Sequence, residues 1–373
     1  MEALPGISAQ EIARARRPLE AAWTLPPAAY VRADIHRLEA ERILRRSWAP
    51  LARVDQLAAP GDYVAMELAG QPVLVVHGLD GEFRVMANVC RHRAAPVAEG
   101  AGRRKLFTCP YHAWSYDTEG RLAAAPLMDG VADFAREDCR LTQFRSEVWQ
   151  GFVMANLDPQ AEPFGPQVEP LARAFEAFDI AGMVVARTLI YDSGWNWKVL
   201  VENFMEAYHH LAAHAQTLEP GFHARDSIVF DSDGPWSILH MPAAAVDAER
   251  PRLVQGLPEQ QAGALFAAAA FPHFMFALHG DGMAWYQVLP LAGDRFTLKI
   301  HLCVPRYVLD LEGADHILAE LEQVTAAIHA EDIVVNDLVW KGLNAPTTGQ
   351  GRLAPLERSI WQMNQWWLAK MGA

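Results

Sequence analysis

The sequence predicts an α+β protein with a β-rich first half and a second half that lays an antiparallel sheet against one long helix. Three observations carry this. Residues 71–89, QPVLVVHGLDGEFRVMANV, are two β-branched runs joined by Gly78-Leu79-Asp80-Gly81, a hairpin pattern. MFALH, AWYQVLP and RFTLKIHLCVP, between 275 and 305, are strand-like runs separated by GDG and AGD turn signals. A helical pattern then occupies roughly 312–343, with a final helix near 358–370. A sheet followed by long helices, without βα alternation, is the α+β order.

The 373 residues are enough for two domains and a large core. The formal charge of −13, from 45 acidic and 32 basic side chains, argues against nucleic-acid binding, which needs a basic surface. No apolar run reaches the roughly 20 residues that span a bilayer, and the start, MEALPGISAQEIARARRP, lacks the apolar region of a secretory signal. The expected compartment is the cytoplasm, where four cysteines read as metal ligands or free thiols rather than disulfides. Cys139 and Cys303 belong to no motif and read as buried small hydrophobes.

In chain order, residues 1–50 read as a helical segment. ADIHRLEAERILRRSW repeats Ile35, Leu38, Ile43 and Leu44 near a helical period, and Pro26-Pro27 breaks what precedes it. Residues 51–157 read as short strands and turns, forming one β-domain. Residues 158–185, with Pro159, Pro163, Pro166 and Pro170 and then a short helical patch, read as a linker. Residues 186–373 form the second domain. ARTLIYD reads as a strand, WNWK leads into a helix at about 199–211, and SIVFD and WSILHMP read as strands.

Within the β-domain, Cys90 and His92 stand one residue apart, and Cys109 and His112 two apart. Two thiolates and two imidazoles in this order suit a [2Fe–2S] centre whose second iron is held by histidines, an arrangement that raises the reduction potential. A structural zinc site is the rival, but zinc knots usually open with two closely spaced cysteines. Both pairs fall on loops after predicted strands, with Trp114 and Tyr116 placed to shield a cluster.

Farther on, His209, His210 and His214 crowd six residues beside Glu206. Non-haem Fe(II) oxygenases use two histidines and a carboxylate on one face of the metal. On a regular helix His210 and His214 share a face, so spacing alone favours that pair. The motif H-E-x-x-H of zinc hydrolases is absent.

The stretches CRHRAAPVAEGAGRRKLFTCPYH and PYHAWSYDTEGRL resemble the Rieske motif, and NWKVLVENFMEAYHHLAAH (196–214) resembles the iron site of the Rieske non-haem iron oxygenases, terminal alpha subunits. The resemblance runs from about residue 30 to the end. It implies an N-terminal Rieske [2Fe–2S] β-domain held at Cys90, His92, Cys109 and His112, followed by a helix-grip catalytic domain. The family pattern, acid-x2-His-x4-His, selects His209 and His214 as iron ligands, which requires the helix to break between them. HAEDIVVNDLVWKGL (329–343) resembles the family's late helix and implies Asp332 as third ligand, with Glu331 and Asp337 as local alternatives. Glu206 then bridges to a Rieske histidine, His112, of a neighbouring subunit, and Asn203 joins it as a catalytic candidate. A glutamate at 206, with NWK…EN…E-x-YH, resembles the subset acting on quaternary ammonium compounds.

The resemblance therefore implies a mono- or dioxygenase using a [2Fe–2S] cluster, Fe(II), O2 and electrons from NAD(P)H through a separate reductase or ferredoxin. The expected chemistry is hydroxylation or oxidative demethylation of a small aromatic or quaternary ammonium compound by a homotrimer, with neither nucleic acid nor membrane as partner. The rival is a pure Rieske electron carrier. Phe204, Met205, Phe222, Trp236, Phe271, Phe274, Phe276 and Trp285 are the candidate pocket residues, and Arg91, Arg93, Arg103, Arg104 and Lys105 form a basic cluster that suits docking of an acidic ferredoxin or reductase, or equally subunit packing.

Overall fold

The computed structural model describes residues 4–245 and 252–373, which divide into two compact units. The smaller is Leu44–Phe164; the larger is residues 1–43 together with Gly165–Ala373.

The smaller unit is three antiparallel sheets. Its strands are β1 (Ala49–Arg53), β2 (Asp62–Leu68), β3 (Gln71–His77), β4 (Phe83–Ala87), β5 (Ala101–Arg103), β6 (Leu106–Thr108), β7 (Ser115–Asp117), β8 (Leu122–Ala124), β9 (Arg145–Trp149) and β10 (Phe152–Asn156). They are ordered β1-β10-β9, β4-β3-β2-β5 and β6-β7-β8. The run Val73–Val76 is wholly buried, which is why β3 is β-branched rather than alternating. Its hairpin to β4 closes through Gly81 at φ +89°, a conformation that favours glycine. Cys90, Phe107, Cys109, Trp114 and Tyr116 share one buried apolar cluster, so the two thiols sit inside the fold. Cys139 packs only partly buried against that cluster, whereas Cys303, in the other unit, is buried.

The larger unit holds one seven-stranded antiparallel sheet. The strands are β11 (Met183–Ser193), β12 (Ile228–Val229), β13 (Trp236–Met241), β14 (Leu265–Ala270), β15 (Phe274–His279), β16 (Gly282–Ala292) and β17 (Arg295–Pro305), in the order β11-β17-β16-β15-β14-β13-β12. The sequence reading passed over β14. Its LFAAAA is mostly alanine, a poor strand former, yet it pairs with a strand on each side and is largely buried. Packing overrides propensity there.

A 30-residue helix, Ala314–Leu343, packs on β11 and on the short helix Trp197–Phe204; a final helix, Arg358–Lys370, packs near β13. The N-terminal residues are anchored in this unit by a buried polar knot. Lys198 Nζ donates to Glu39 Oε1 at 2.6 Å, Trp367 Nε1 donates to the same oxygen at 2.7 Å, and Tyr30 OH donates to Glu202 Oε1 at 2.6 Å. The expected helical segment 1–50 does contain helices, Ala9–Ala15, Ala28–Val31 and Ala33–Glu39, but β1 already begins at Ala49.

The helix expected at 199–211 is shorter. It starts at Trp197, where Asn196 Oδ1 accepts from Lys198 N at 3.0 Å, and stops at Phe204. A separate 3-10 turn, Tyr208–Leu211, follows, and then irregular turns through His214. This break decides which histidines meet.

Candidate metal centres and cavity

The two cysteine–histidine loops have the same turn. Ala94 N donates to Cys90 O at 3.0 Å, and Cys90 N to Ala95 O at 2.9 Å; Ala113 N donates to Cys109 O at 3.1 Å, and Cys109 N to Trp114 O at 2.8 Å. Ala94 and Ala113 both take left-handed backbone, φ +60° and +57°. Each turn points its thiol inward and its imidazole outward: Cys90 and Cys109 are buried, His92 and His112 exposed. The imidazoles face one another with centroids 4.6 Å apart, and the buried Trp114 indole stacks on His92 at 4.9 Å. The Tyr116 hydroxyl lies 3.3 Å from Cys90 Sγ.

In the larger unit the structure brings together His209, His214 and Asp332, whose ligand atoms lie within 4.8 Å of one another. His214 Nε2 is 3.0 Å, and His209 Nε2 3.6 Å, from the same oxygen, Asp332 Oδ1. The other nitrogens are also held. His209 Nδ1 is 2.6 Å from Glu206 Oε1, and His214 Nδ1 is 2.6 Å from Glu331 Oε2. Burial disfavours charge on His214, but the Asp332 and Glu331 carboxylates outweigh it and its pKa is raised.

His210 stands apart. It is buried, its Nδ1 faces the Phe222 carbonyl at 3.4 Å, and desolvation, helped by His209, pushes its pKa down to about 4. The i, i+4 argument for pairing His210 with His214 presumed an unbroken helix, which ends five residues before His209. Asp337 is exposed, on another side of the long helix. Asn203 accepts from Asn336 Nδ2 at 3.5 Å, linking the short helix to the long one.

These groups open into a cavity of about 1190 Å³. Of the aromatic residues expected there, Phe204 and Phe222 line it. Met205, Trp236, Phe271, Phe274, Phe276 and Trp285 are buried in the core instead. Among the lining residues that the sequence reading missed is Tyr286, whose ring meets Phe204 at 4.8 Å. Strand alternation was the available signal. Trp285 turns to the opposite face of β16 and stacks on His301, while Ala284 and Tyr286 face the cavity.

The family described as ring hydroxylating alpha subunit (catalytic domain) matches residues 180–373, and the Rieske [2Fe-2S] domain family matches residues 47–135. The chain belongs to the ring-hydroxylating alpha-subunit family of Rieske oxygenases. It is 34% identical over 224 residues to the carnitine monooxygenase oxygenase subunit of Acinetobacter pittii (strain PHEA-2), a match covering 59% of this chain and 58% of that one. The match thus spans under two thirds of that relative's length. It is 27% identical over 357 residues to the chloroplastic choline monooxygenase of Spinacia oleracea, covering 94% of this chain and 78% of that one. Among solved structures, the quaternary ammonium Rieske monooxygenase CntA in complex with L-carnitine has a TM-score of 0.78 at 24% identity, covering 94% of this chain and 96% of that one. Naphthalene 1,2-dioxygenase with indole bound has the same TM-score at 19% identity, covering 94% and 92%. These structural likenesses show the fold.

The two domains of this oxygenase family imply a Rieske [2Fe–2S] cluster, a non-haem iron, O2 and an external electron donor. The residues present fit both metal groups. Two buried thiols opposite two exposed imidazoles form the asymmetric donor set of a Rieske centre. Two imidazoles and a carboxylate converging at one point, with both outer nitrogens held by glutamates, suit a non-haem iron. Among the described residues no helix is long and apolar enough to cross a membrane.

Proposed function

We propose that this chain is a terminal oxygenase that hydroxylates or oxidatively demethylates a small quaternary ammonium compound, using O2 and two electrons from NAD(P)H through a separate reductase or ferredoxin. The supporting observation is the character of the cavity onto which His209, His214 and Asp332 open. Among its described lining residues, Asp281 and Glu320 carry carboxylates that are committed to neither the iron nor His209, beside the guanidinium of Arg252. An acidic, partly aromatic wall attracts a cation. The Phe204–Tyr286 pair and Phe222 present ring faces that suit a trimethylammonium head, whereas an uncharged aromatic hydrocarbon gains nothing from the carboxylates. The relatives named for carnitine and choline agree with this reading.

In this reading Cys90, His92, Cys109 and His112 hold the cluster, and His209, His214 and Asp332 hold the iron. When bound, these groups supply single electrons and the activation of O2. Glu206 takes the Nδ1–H of His209, leaving Nε2 for the metal. Asn203, tied to Asn336, fixes the short helix that carries the cavity wall. Trp114 covers one face of His92 and keeps water from it. The apolar lining around Phe204 excludes water from the reacting C–H bond.

A homotrimer is part of the proposal, with Glu206 also accepting from His112 of the partner subunit. Its carboxylate has lone pairs to spare beyond its bonds to His209. A reducing cytoplasm suits two cluster thiolates, Cys90 and Cys109, and two further cysteines outside any disulfide, Cys139 and Cys303. The carrier alternative needs only residues 51–157 and gives the catalytic-domain match over 180–373 no role.

Substrate-dependent O2 uptake tests the reading. With a generic reductase, carnitine or choline is expected to stimulate uptake and naphthalene is not. Stimulation by naphthalene alone would overturn the substrate class.

A further inference from the structure

One imidazole at the candidate iron centre is bracketed by two consecutive residues of one helix. Glu331 Oε2 lies 2.6 Å from His214 Nδ1, and Asp332 Oδ1 lies 3.0 Å from Nε2. The two carboxylates therefore stand at opposite edges of the ring. A metal needs a bare nitrogen, so the ring proton must reside on the other one. Asp332, beside His209 as well, marks the Nε2 edge as the metal edge. Glu331 marks the proton edge.

Glu331 is itself held. Thr217 Oγ1 donates to Glu331 Oε2 at 2.6 Å. Thr217 belongs to the irregular turns after His214, in which Thr217 N and Leu218 N both bond to His214 O. That segment has no regular helix to fix the His214 rotamer. The Thr217–Glu331 bond joins it to the long helix three residues from the histidine it must aim. His209 has a matching arrangement, in which Glu206 holds Nδ1, but Glu206 lies on the same local turn. Glu331 comes from 117 residues away, so it ties the aim of the ring to the placement of Asp332.

We propose that Glu331, oriented by Thr217, is the positioning residue for His214, fixing its proton on Nδ1 and presenting Nε2 to the iron. This rests on reading His214 as an iron ligand. Side chains that orient a metal-bound histidine are typically worth about 10- to 100-fold in metal affinity. Glutamine at 331 keeps an acceptor for Nδ1–H and loses the charge; alanine loses both. The order of affinity is therefore Glu, then Gln, then Ala. Loss of the Thr217 hydroxyl frees Glu331 without removing it, so Thr217→Val costs less than Glu331→Ala.

The test uses the full chain with its cluster intact and its mononuclear site emptied, titrated with Mn(II). Bound metal is read from loss of the free-ion EPR signal. Glu331→Ala is expected to weaken Mn(II) binding about 10- to 100-fold, Glu331→Gln and Thr217→Val by less, with the melting temperature and the cluster spectrum unchanged. Wild-type Mn(II) affinity in Glu331→Ala would overturn the proposal. So would affinity losses that track falling melting temperatures across all three variants, since that is the mark of a merely structural contact. His214→Ala separates the two readings. If it binds Mn(II) like wild type, the ligand assignment fails. If it loses binding while Glu331→Ala does not, the positioning role alone fails.

Discussion

Glu206 Oε1 lies 2.6 Å from His209 Nδ1, and Glu206 Oε2 accepts from the His209 backbone N–H at 3.1 Å. Glu206 therefore grips the edge of the imidazole remote from Asp332, which is 3.6 Å from Nε2. The acid three residues before the first histidine stands behind that imidazole, not on the side that faces Asp332.

Glu206→Gln is accordingly expected to keep about one mononuclear iron per chain and a normally reducible cluster, while turnover falls by at least the 10- to 100-fold typical of a lost orienting contact. Iron analysis, a reductase assay and turnover check it together. Wild-type turnover in Glu206→Gln would remove the carboxylate from the account.

Tyr116 gives a redox prediction. Its hydroxyl sits 3.3 Å from Cys90 Sγ, and hydrogen bonds to cluster sulfurs stabilise the more negative, reduced state. Tyr116→Phe should lower the midpoint potential of the cluster without bleaching it. Cys109→Ala should remove the visible and EPR signals altogether. Redox titration of Tyr116→Phe showing an unchanged potential would remove the hydroxyl from the account.

The Lys198–Glu39 pair gives a stability prediction. Both side chains are fully buried. Breaking such a pair strands a charge and typically costs about 3–5 kcal/mol, whereas replacing both partners by neutral groups costs far less. Lys198→Met should lower the urea midpoint strongly, and the added change Glu39→Gln should restore much of it, because Trp367 Nε1 still finds an amide oxygen. A double variant no better than the single one contradicts this.

Much of this was legible in the sequence, and the exceptions have physical causes. Cys90, His92, Cys109 and His112 stood out because few chemistries want that ligand order, and the structure sets them on two matching turns. The long helix and the final helix were visible in their periodicity. Periodicity misled at His210, because an i, i+4 argument holds only while a helix continues, and this one stops at Phe204. It also could not show β14, whose alanines are strand only by courtesy of their neighbours. Six of eight expected cavity residues went to the core, since a large apolar side chain satisfies either site equally well. Tyr286 and the bond from Glu331 to His214 depend on strand facing and on a contact 117 residues long, which no local pattern encodes.

Glu202 sets a pH dependence. Desolvation raises its carboxyl to about 7 from an ordinary 4.5, against the lowering effect of the Tyr30 hydrogen bond and Lys198. Between those values the folded chain holds a proton that the unfolded chain has released, so this group's contribution to stability falls as pH rises through that window. Glu202→Gln cannot ionise. Its melting temperature relative to wild type should therefore climb from pH 4.5 to 7 and then level off. A constant difference across that range would mean that the carboxyl titrates normally.

The central claim is that a broken helix delivers His209, rather than His210, to a mononuclear iron shared with His214 and Asp332. Iron content of His209→Ala and His210→Ala, measured side by side with the cluster spectrum as internal reference, tests it most directly. The account predicts about two irons per chain in His209→Ala and about three in His210→Ala, the cluster supplying two in each. Loss of the third iron in His210→Ala alone would contradict it.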